Sequence, residues 1–249
     1  MKTVAIIQAW MSSTRLPGKV MKILEGRPVL EHVVERLKLT KSIDHIVVAT
    51  TEMDADDFLY EAAGKMGIGR FRGSENDVLS RYAGAAEEAG ADVIVRITSD
   101  CPLIDPVIVD EVVAFQRETQ ADYACNVLDR TYPRGLDTEV FTRKGLIIAN
   151  NEAEKTEQRE HVTPYFYQNP DRFKIAIYKN AVDYSRHRWT LDTSEDWELI
   201  QQIYKHLYKP GQIFGWADVL ALMEEHPHLV RLNENVEQKK LSNEYILKR

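Results

Sequence analysis

The sequence predicts an α/β protein with a mostly parallel sheet flanked by helices. Three observations carry that expectation. The short apolar runs at 4–7, 46–49 and 93–97 are rich in β-branched residues and read as strands buried on both faces. Segments with helical spacing separate them, and strands alternating with helices imply right-handed crossovers. A chain of 249 residues, 44% of them hydrophobic, is long enough to bury one large core.

The elements follow in order. Val4 to Ile7 is the first strand, and a turn-rich stretch from Ser12 to Lys19 comes after it. Apolar residues at 29, 30, 33, 34 and 37 predict a helix over 28–39. Ile46 to Ala49 is the second strand, and 54–66 reads as a helix with Asp56 and Asp57 in its first turn. Arg70 and Arg72 flank a predicted turn, which either supplies Ser74 or Asn76 as the cap of a helix over 78–89 that Gly90 ends, or grips a base or sugar edge. Val93 to Ile97 is the third strand, and 106–117 is helical. Strands are expected at 123–127, 138–141, 173–177 and 189–191, and Ser194 as the cap of a helix running to about Tyr208. The pattern is less regular over about 120–180, which reads as an insertion into a single domain spanning 1–249. The charged tail from Asn233 to Arg249 is expected to be loosely held.

Composition narrows the function. Lys and Arg number 32 against 39 Asp and Glu, and the net charge of -7 argues against a strongly basic nucleic-acid binder. Two cysteines make no disulfide framework. No apolar run approaches the roughly 18–20 residues of a membrane span, and no secretory leader is visible. A cytoplasmic protein is the expectation.

Three polar sites fall just past strands, where open parallel sheets bind ligands. The first holds Ser12, Ser13, Thr14, Arg15, Gly18 and Lys19. Small residues there let backbone N–H groups approach a polyphosphate, Arg15 offers a planar fork and Lys19 a compact charge. An ordinary solvated loop is the competing reading. The second is Asp100, which would hold a divalent cation or simply cap a turn; its neighbour Cys101 reads as structural. The third is Asp192, a possible second metal carboxylate, with Glu195 and Asp196 suited electrostatically to a first helical turn. The clusters Tyr132–Asp137 and Arg159–His161 would line an acceptor pocket or form surface ion pairs. His161 lacks partners at zinc spacing.

Taken together, these segments resemble a known family. Ala9, Ser12 and the run Thr14-Arg15-Leu16-Pro17-Gly18-Lys19 are similar to the N-terminal signature of cytidylyltransferases that activate acidic sugars, such as those making CMP-Kdo and CMP-sialic-type acids. Ser99-Asp100-Cys101-Pro102-Leu103-Ile104 and Asp192-Thr193-Ser194-Glu195-Asp196 resemble two further family segments. Arg96 to Asp105, Tyr132 to Asp137 and Arg159 to Tyr165 look like the spore-coat polysaccharide branch. Trp10 stands where the family usually has Arg, Cys101 replaces Glu, and Ser194 replaces Pro.

The resemblance implies a Rossmann-like fold of the nucleotide-diphospho-sugar transferase type. It implies attack of an acceptor oxygen on the α-phosphorus of CTP, with pyrophosphate leaving. Arg15 and Lys19 would meet the triphosphate, and Mg²⁺ would sit at Asp100 and Asp192. Ala9, Trp10, Met11, Ser12, Ser13, Arg72, Ser74, Arg81 and Thr98 would surround the nucleotide. Arg134, Asp137 and His161 would face an acidic sugar or sugar phosphate. A homodimer is implied, with the segment 120–180 making the contact; Tyr165-Phe166-Tyr167 would serve there or pack in the core. Other readings are another nucleotide, a sugar-phosphate or phosphonate acceptor, a nucleotide-sugar-dependent glycosyltransferase, and a non-catalytic nucleotide-binding module.

Overall fold

The structure, a computed structural model, describes residues 1–238. β1 (Thr3–Gln8) is followed by the hairpin β2 (Ile23–Leu24) and β3 (Arg27–Pro28), then α1 (Val29–Leu37). Next come β4 (His45–Thr51), α2 (Asp57–Lys65), β5 (Gly69–Gly73), α3 (Val78–Glu88) and β6 (Val93–Thr98). The chain continues through α4 (Pro106–Thr119), β7 (Tyr123–Cys125), β8 (Glu139–Thr142), α5 (Arg143–Glu152), α6 (Thr156–His161) and α7 (Pro164–Tyr167). It then runs through β9 (Ile175–Ile177), α8 (Ser194–Leu207), α9 (Trp216–Glu225) and α10 (Pro227–Val230).

Seven strands form one sheet in the order β5-β4-β1-β6-β8-β7-β9. The first four are parallel; β8 runs antiparallel to both neighbours, and β9 is parallel to β7. The segment expected as an insertion thus supplies the three strands on one side of this sheet.

Alternation along the strands feeds two cores. In β1, Ala5 and Ile7 pack with α1, α4, α8 and α9, while Val4 and Ile6 pack with α3, α5 and α7. All six residues of β1 are buried, as expected for a central parallel strand. The rings of Tyr165 and Phe166 lie in the second core, with Phe166 4.9 Å from Phe173 and 5.3 Å from Phe141 between ring centres. The carboxyl ends of β1, β4, β5 and β6 share one edge of the sheet, and their loops build the candidate site. Among the described residues, no helix is long and apolar enough to cross a membrane.

Several expectations need correction. The turn around Arg70 and Arg72 is the edge strand β5, whose arginines hid the pattern because an edge strand has less burial to enforce it. Asp77, rather than Ser74 or Asn76, caps α3 by accepting from the Ser80 N–H at 3.0 Å. Thr193, rather than Ser194, caps α8, in a reciprocal box with Asp196. Residues 189–191 form no ladder strand. They follow an isolated bridge between Arg188 and Arg134, with Trp189 N–H donating to Arg134 O (2.7 Å) and Leu191 N–H to Asp100 O (2.8 Å). The tail is anchored where described, since Asn233 is only 4% exposed. Residues 239–249 lie outside the described residues.

Gly135 makes that bridge possible. Its φ is +106°, and a Cβ there would lie 2.6 Å from the backbone C and O of Trp189. Backbone strain and overpacking would each cost about 1–3 kcal/mol. Gly135→Ala is therefore expected to lose about 2–5 kcal/mol of stability in chemical denaturation. A loss below about 0.5 kcal/mol would contradict the close approach.

Candidate active site

The loop after β1 turns back on itself. Gly18 N–H donates to Met11 O at 2.9 Å, and Gly18 adopts φ +66°, a left-handed conformation suited to glycine. Lys19 follows in a single 3-10 turn, Lys19–Met21, which aims its buried side chain under the loop. Met11 N–H donates to Asp56 Oδ1 at 2.7 Å, so the acid from the turn before α2 fixes the loop from the other side.

Three distant segments meet at Lys19. Its Nζ donates to Asp100 Oδ2 at 2.7 Å and to Asp192 Oδ1 at 2.6 Å. Asp100 lies two residues past the end of β6, and Asp192 precedes the cap of α8. Arg15 reaches Asp192 Oδ2 at 2.9 Å. The backbone bond from Leu191 to Asp100 O, with Thr190 Oγ1 also donating to that oxygen at 3.3 Å, holds the two acid-bearing segments together. Burial opposes charge on Lys19, but Asp100 and Asp192 overcome it and raise its pKa. Burial likewise opposes charge on Asp100, yet Lys19 and the Thr98 hydroxyl hold its carboxyl below the ordinary range. Cys101, at 3% exposure with Thr98 Oγ1 3.2 Å away, has its thiol pushed well up by burial and by Asp100. It is no thiolate nucleophile.

Asp192 has its own support. Arg188 donates Nη2 to Asp192 Oδ2 at 3.2 Å and grips the fully buried Asp196 through Nε and Nη2, each at 2.9 Å. Asp196 also accepts from the backbone N–H of Asp192 (2.9 Å) and Thr193 (3.1 Å). Asn233 ties the C-terminal segment in, donating to Arg188 O at 2.9 Å and Asp196 Oδ1 at 2.8 Å. Gln238 Oε1 accepts from Arg188 Nη1 at 2.6 Å. The first-turn role expected of Asp196 holds, and its grip on Arg188 adds to it.

Other expected residues are placed as follows. Ala9 N–H donates to Ala49 O, and Thr98 pairs in register with Gln8 at the carboxyl end of β1. Trp10 is partly buried, Ser12 is exposed and Ser13 partly so. Arg81 is 1% exposed, donates Nη1 to Ser74 O at 2.7 Å, and leaves Nε and Nη2 without a protein partner. Arg72 is engaged by Asp57 and lies over the Tyr60 ring at 4.7 Å, so its guanidinium is turned toward α2. The backbone of Arg134 bonds to His187 and Trp189, while its half-buried guanidinium sits in the field of Arg130, Asp137 and Arg188. Arg134, His187 and Arg188 line a cavity of about 130 Å³ together with Trp189 and Asn233. Asp137 accepts both ends of the Arg130 fork, at 2.6 and 2.8 Å. His161 ends α6 with Glu160 4.0 Å away, and Arg159 of the same helix pairs with Asp77 of the α3 cap.

A divalent ion is compatible with this arrangement. Two carboxylates aim oxygens at one cationic atom, and Lys19 holds the Asp100 carboxyl below the ordinary range. Among the described residues no group of three or more His, Cys, Asp or Glu could hold a metal. The pair thus suits an ion that takes one or two carboxylates and completes its shell with water and substrate phosphates, as Mg²⁺ does.

Sequence reasoning missed Arg130, Asp56, Asn233 and the tethering role of Arg188. Arg188 and Asp196 at i and i+8 around a helix cap were the one available signal. The Asp137 carboxyl is opposed by burial and favoured more strongly by Arg130, so its pKa lies below the usual value. Stability of this sign is present above the unfolded-state value of about 3.9 and lost as pH falls through the lower folded value. Asp137→Asn is expected to lose about 1–3 kcal/mol at pH 7. Denaturant titrations of wild type and variant should converge as pH falls below the lowered folded-state value; a gap that widens toward acid would refute the pairing.

The chain matches the cytidylyltransferase family over residues 4–236. The spore coat polysaccharide biosynthesis protein SpsF of Bacillus subtilis is 32% identical over 229 residues, covering 89% of this chain and 94% of that one. The structure of a cytidylyltransferase from Leptospira borgpetersenii overlays with a TM-score of 0.88 at 36% identity, covering 96% of this chain and 100% of that one. A CMP:2-keto-3-deoxy-manno-octonic acid synthetase complexed with CTP shares the fold at a TM-score of 0.65 and 19% identity, over 82% of this chain and 99% of that one. The chain belongs to the cytidylyltransferase family and is a nucleotidyltransferase.

Proposed function

We propose that the protein transfers CMP from CTP to an acidic sugar, releasing pyrophosphate, in the biosynthesis of a surface polysaccharide or glycan. The observation that carries this reading is the meeting of Asp100 and Asp192 on Lys19 beneath a tight, arginine-bearing loop. Nucleotidyl transfer asks mainly for alignment and charge stabilisation, and this junction offers both.

The residues would divide the work as follows. Arg15 and Lys19 bind the triphosphate and offset the charge that builds on departing pyrophosphate. The backbone of Ala9 to Met11, with Ser12, Ser13, Ser74, Arg81 and Thr98, encloses the nucleoside; Arg72 joins only if it leaves Asp57. Asp100 and Asp192 hold Mg²⁺. That ion, when bound, polarises the α-phosphate toward attack. Arg188 and Asp196 keep Asp192 in place. Arg134, Asp137 and His161 orient the acceptor, and the planar fork of Arg134 suits a carboxylate bidentately. Residues 120–180 form an acceptor and dimer-contact insertion within one nucleotidyltransferase domain, acting as a homodimer in the cytoplasm. The nearby charges of Arg130 and Arg188 also favour a second reading, in which the acceptor is a sugar phosphate.

Asp100→Asn should keep the fold and reduce turnover by 10²-fold or more in a pyrophosphate-release assay, an effect of about 3 kcal/mol on the barrier. Full, still metal-dependent activity would remove Asp100 from the mechanism. Purified protein with Mg²⁺ should release pyrophosphate from CTP, in preference to GTP, UTP, ATP or dTTP, when given an acidic sugar, and mass spectrometry should find the CMP-sugar. Transfer from an intact nucleotide sugar without pyrophosphate would overturn the assignment.

A further inference from the structure

The junction that suits a divalent ion already contains a cation. Lys19 Nζ lies 2.7 Å from Asp100 Oδ2 and 2.6 Å from Asp192 Oδ1. The remaining Asp192 oxygen is engaged too, by Arg15 at 2.9 Å and Arg188 at 3.2 Å. Lys19 is 8% exposed, so it is held there by the surrounding structure rather than swinging freely in solvent.

This occupancy has a consequence for ion entry. Mg²⁺ or Mn²⁺ needs carboxylate oxygens at about 2.0–2.2 Å. An ammonium that stays hydrogen-bonded to those oxygens would crowd a doubly charged ion coordinating them, and the two cations would repel. Ion entry therefore favours departure of Lys19, and a buried ammonium is drawn away most readily by another anion. A triphosphate is such an anion, and it gives Arg15 a partner as well.

We infer that Lys19 is a resident counter-cation of the two acids, so that the free protein excludes divalent metal and admits it only when the triphosphate draws Lys19 away. This rests on the reading that Asp100 and Asp192 are the metal carboxylates. Metal and nucleotide then bind with positive coupling, each raising the affinity for the other by the same factor. The free enzyme carries a neutralised, closed site instead of a loosely bound ion.

The test is Mn²⁺ binding to the full chain without nucleotide, read from the loss of the free-ion electron paramagnetic resonance signal. Wild type, Lys19→Met and Lys19→Gln are compared, with thermal unfolding by circular dichroism to verify folding. Both Lys19 variants are expected to bind one Mn²⁺ at least about tenfold more tightly than wild type, and adding Asp100→Asn should abolish the gain. Two Lys19 variants are used so that the failure of one to fold leaves the other to decide. If folded wild type binds Mn²⁺ as tightly as the Lys19 variants, the exclusion is overturned while the metal assignment stands. If a folded Lys19 variant binds no Mn²⁺ even when CTP is added, the metal assignment itself fails and the inference falls with it.

Discussion

Everything at the carboxyl edge of the sheet is organised by one ammonium shared between two carboxylates. Lys19, Asp100 and Asp192 come from the loop after β1, the end of β6 and the approach to α8. Each would be costly to bury alone, and removing one partner from such a group leaves an uncompensated charge. The loops therefore cannot drift apart without exposing or stranding a charge. The fold is thereby bound to a geometry that chemistry can use.

The two acids are held by different means. Asp100 is positioned by its backbone, at the end of a strand buried in both cores, with its carbonyl accepting from Leu191. Asp192 is positioned by its side-chain neighbours, through Arg188, Asp196 and Asn233. The hydrogen bond between residues 191 and 100 joins these two supports, and the glycine at 135 lets the loop before β8 approach Trp189 closely enough to brace it. Arg134 is carried on that brace through its backbone bonds to His187 and Trp189.

Much of this was legible in the sequence, for physical reasons. Central parallel strands must be apolar on both sides, so β1, β4 and β6 stood out as unbroken runs. The site lies where strands of one direction end, so Asp100 and Lys19 could be placed from local pattern alone. Asp192 was harder, because the segment before it forms a bridge rather than a ladder and its partner Lys19 is 173 residues away. The edge strand β5 carries two arginines and resembled a turn. Arg130, Asp56 and Asn233 were invisible because their roles come from single long-range contacts with no periodicity. The presence of Lys19 between the acids was equally unreadable: spacing announces which charges exist, not which of them neutralise each other.

The most direct measurement is a crystal structure with Mn²⁺ and a non-hydrolysable CTP analogue, using anomalous scattering to locate the ion. The account requires a manganese peak between Asp100 and Asp192, with Lys19 and Arg15 on phosphate oxygens. A nucleotide bound in the loop with Lys19 still bridging the two acids, and the ion located elsewhere, would contradict it.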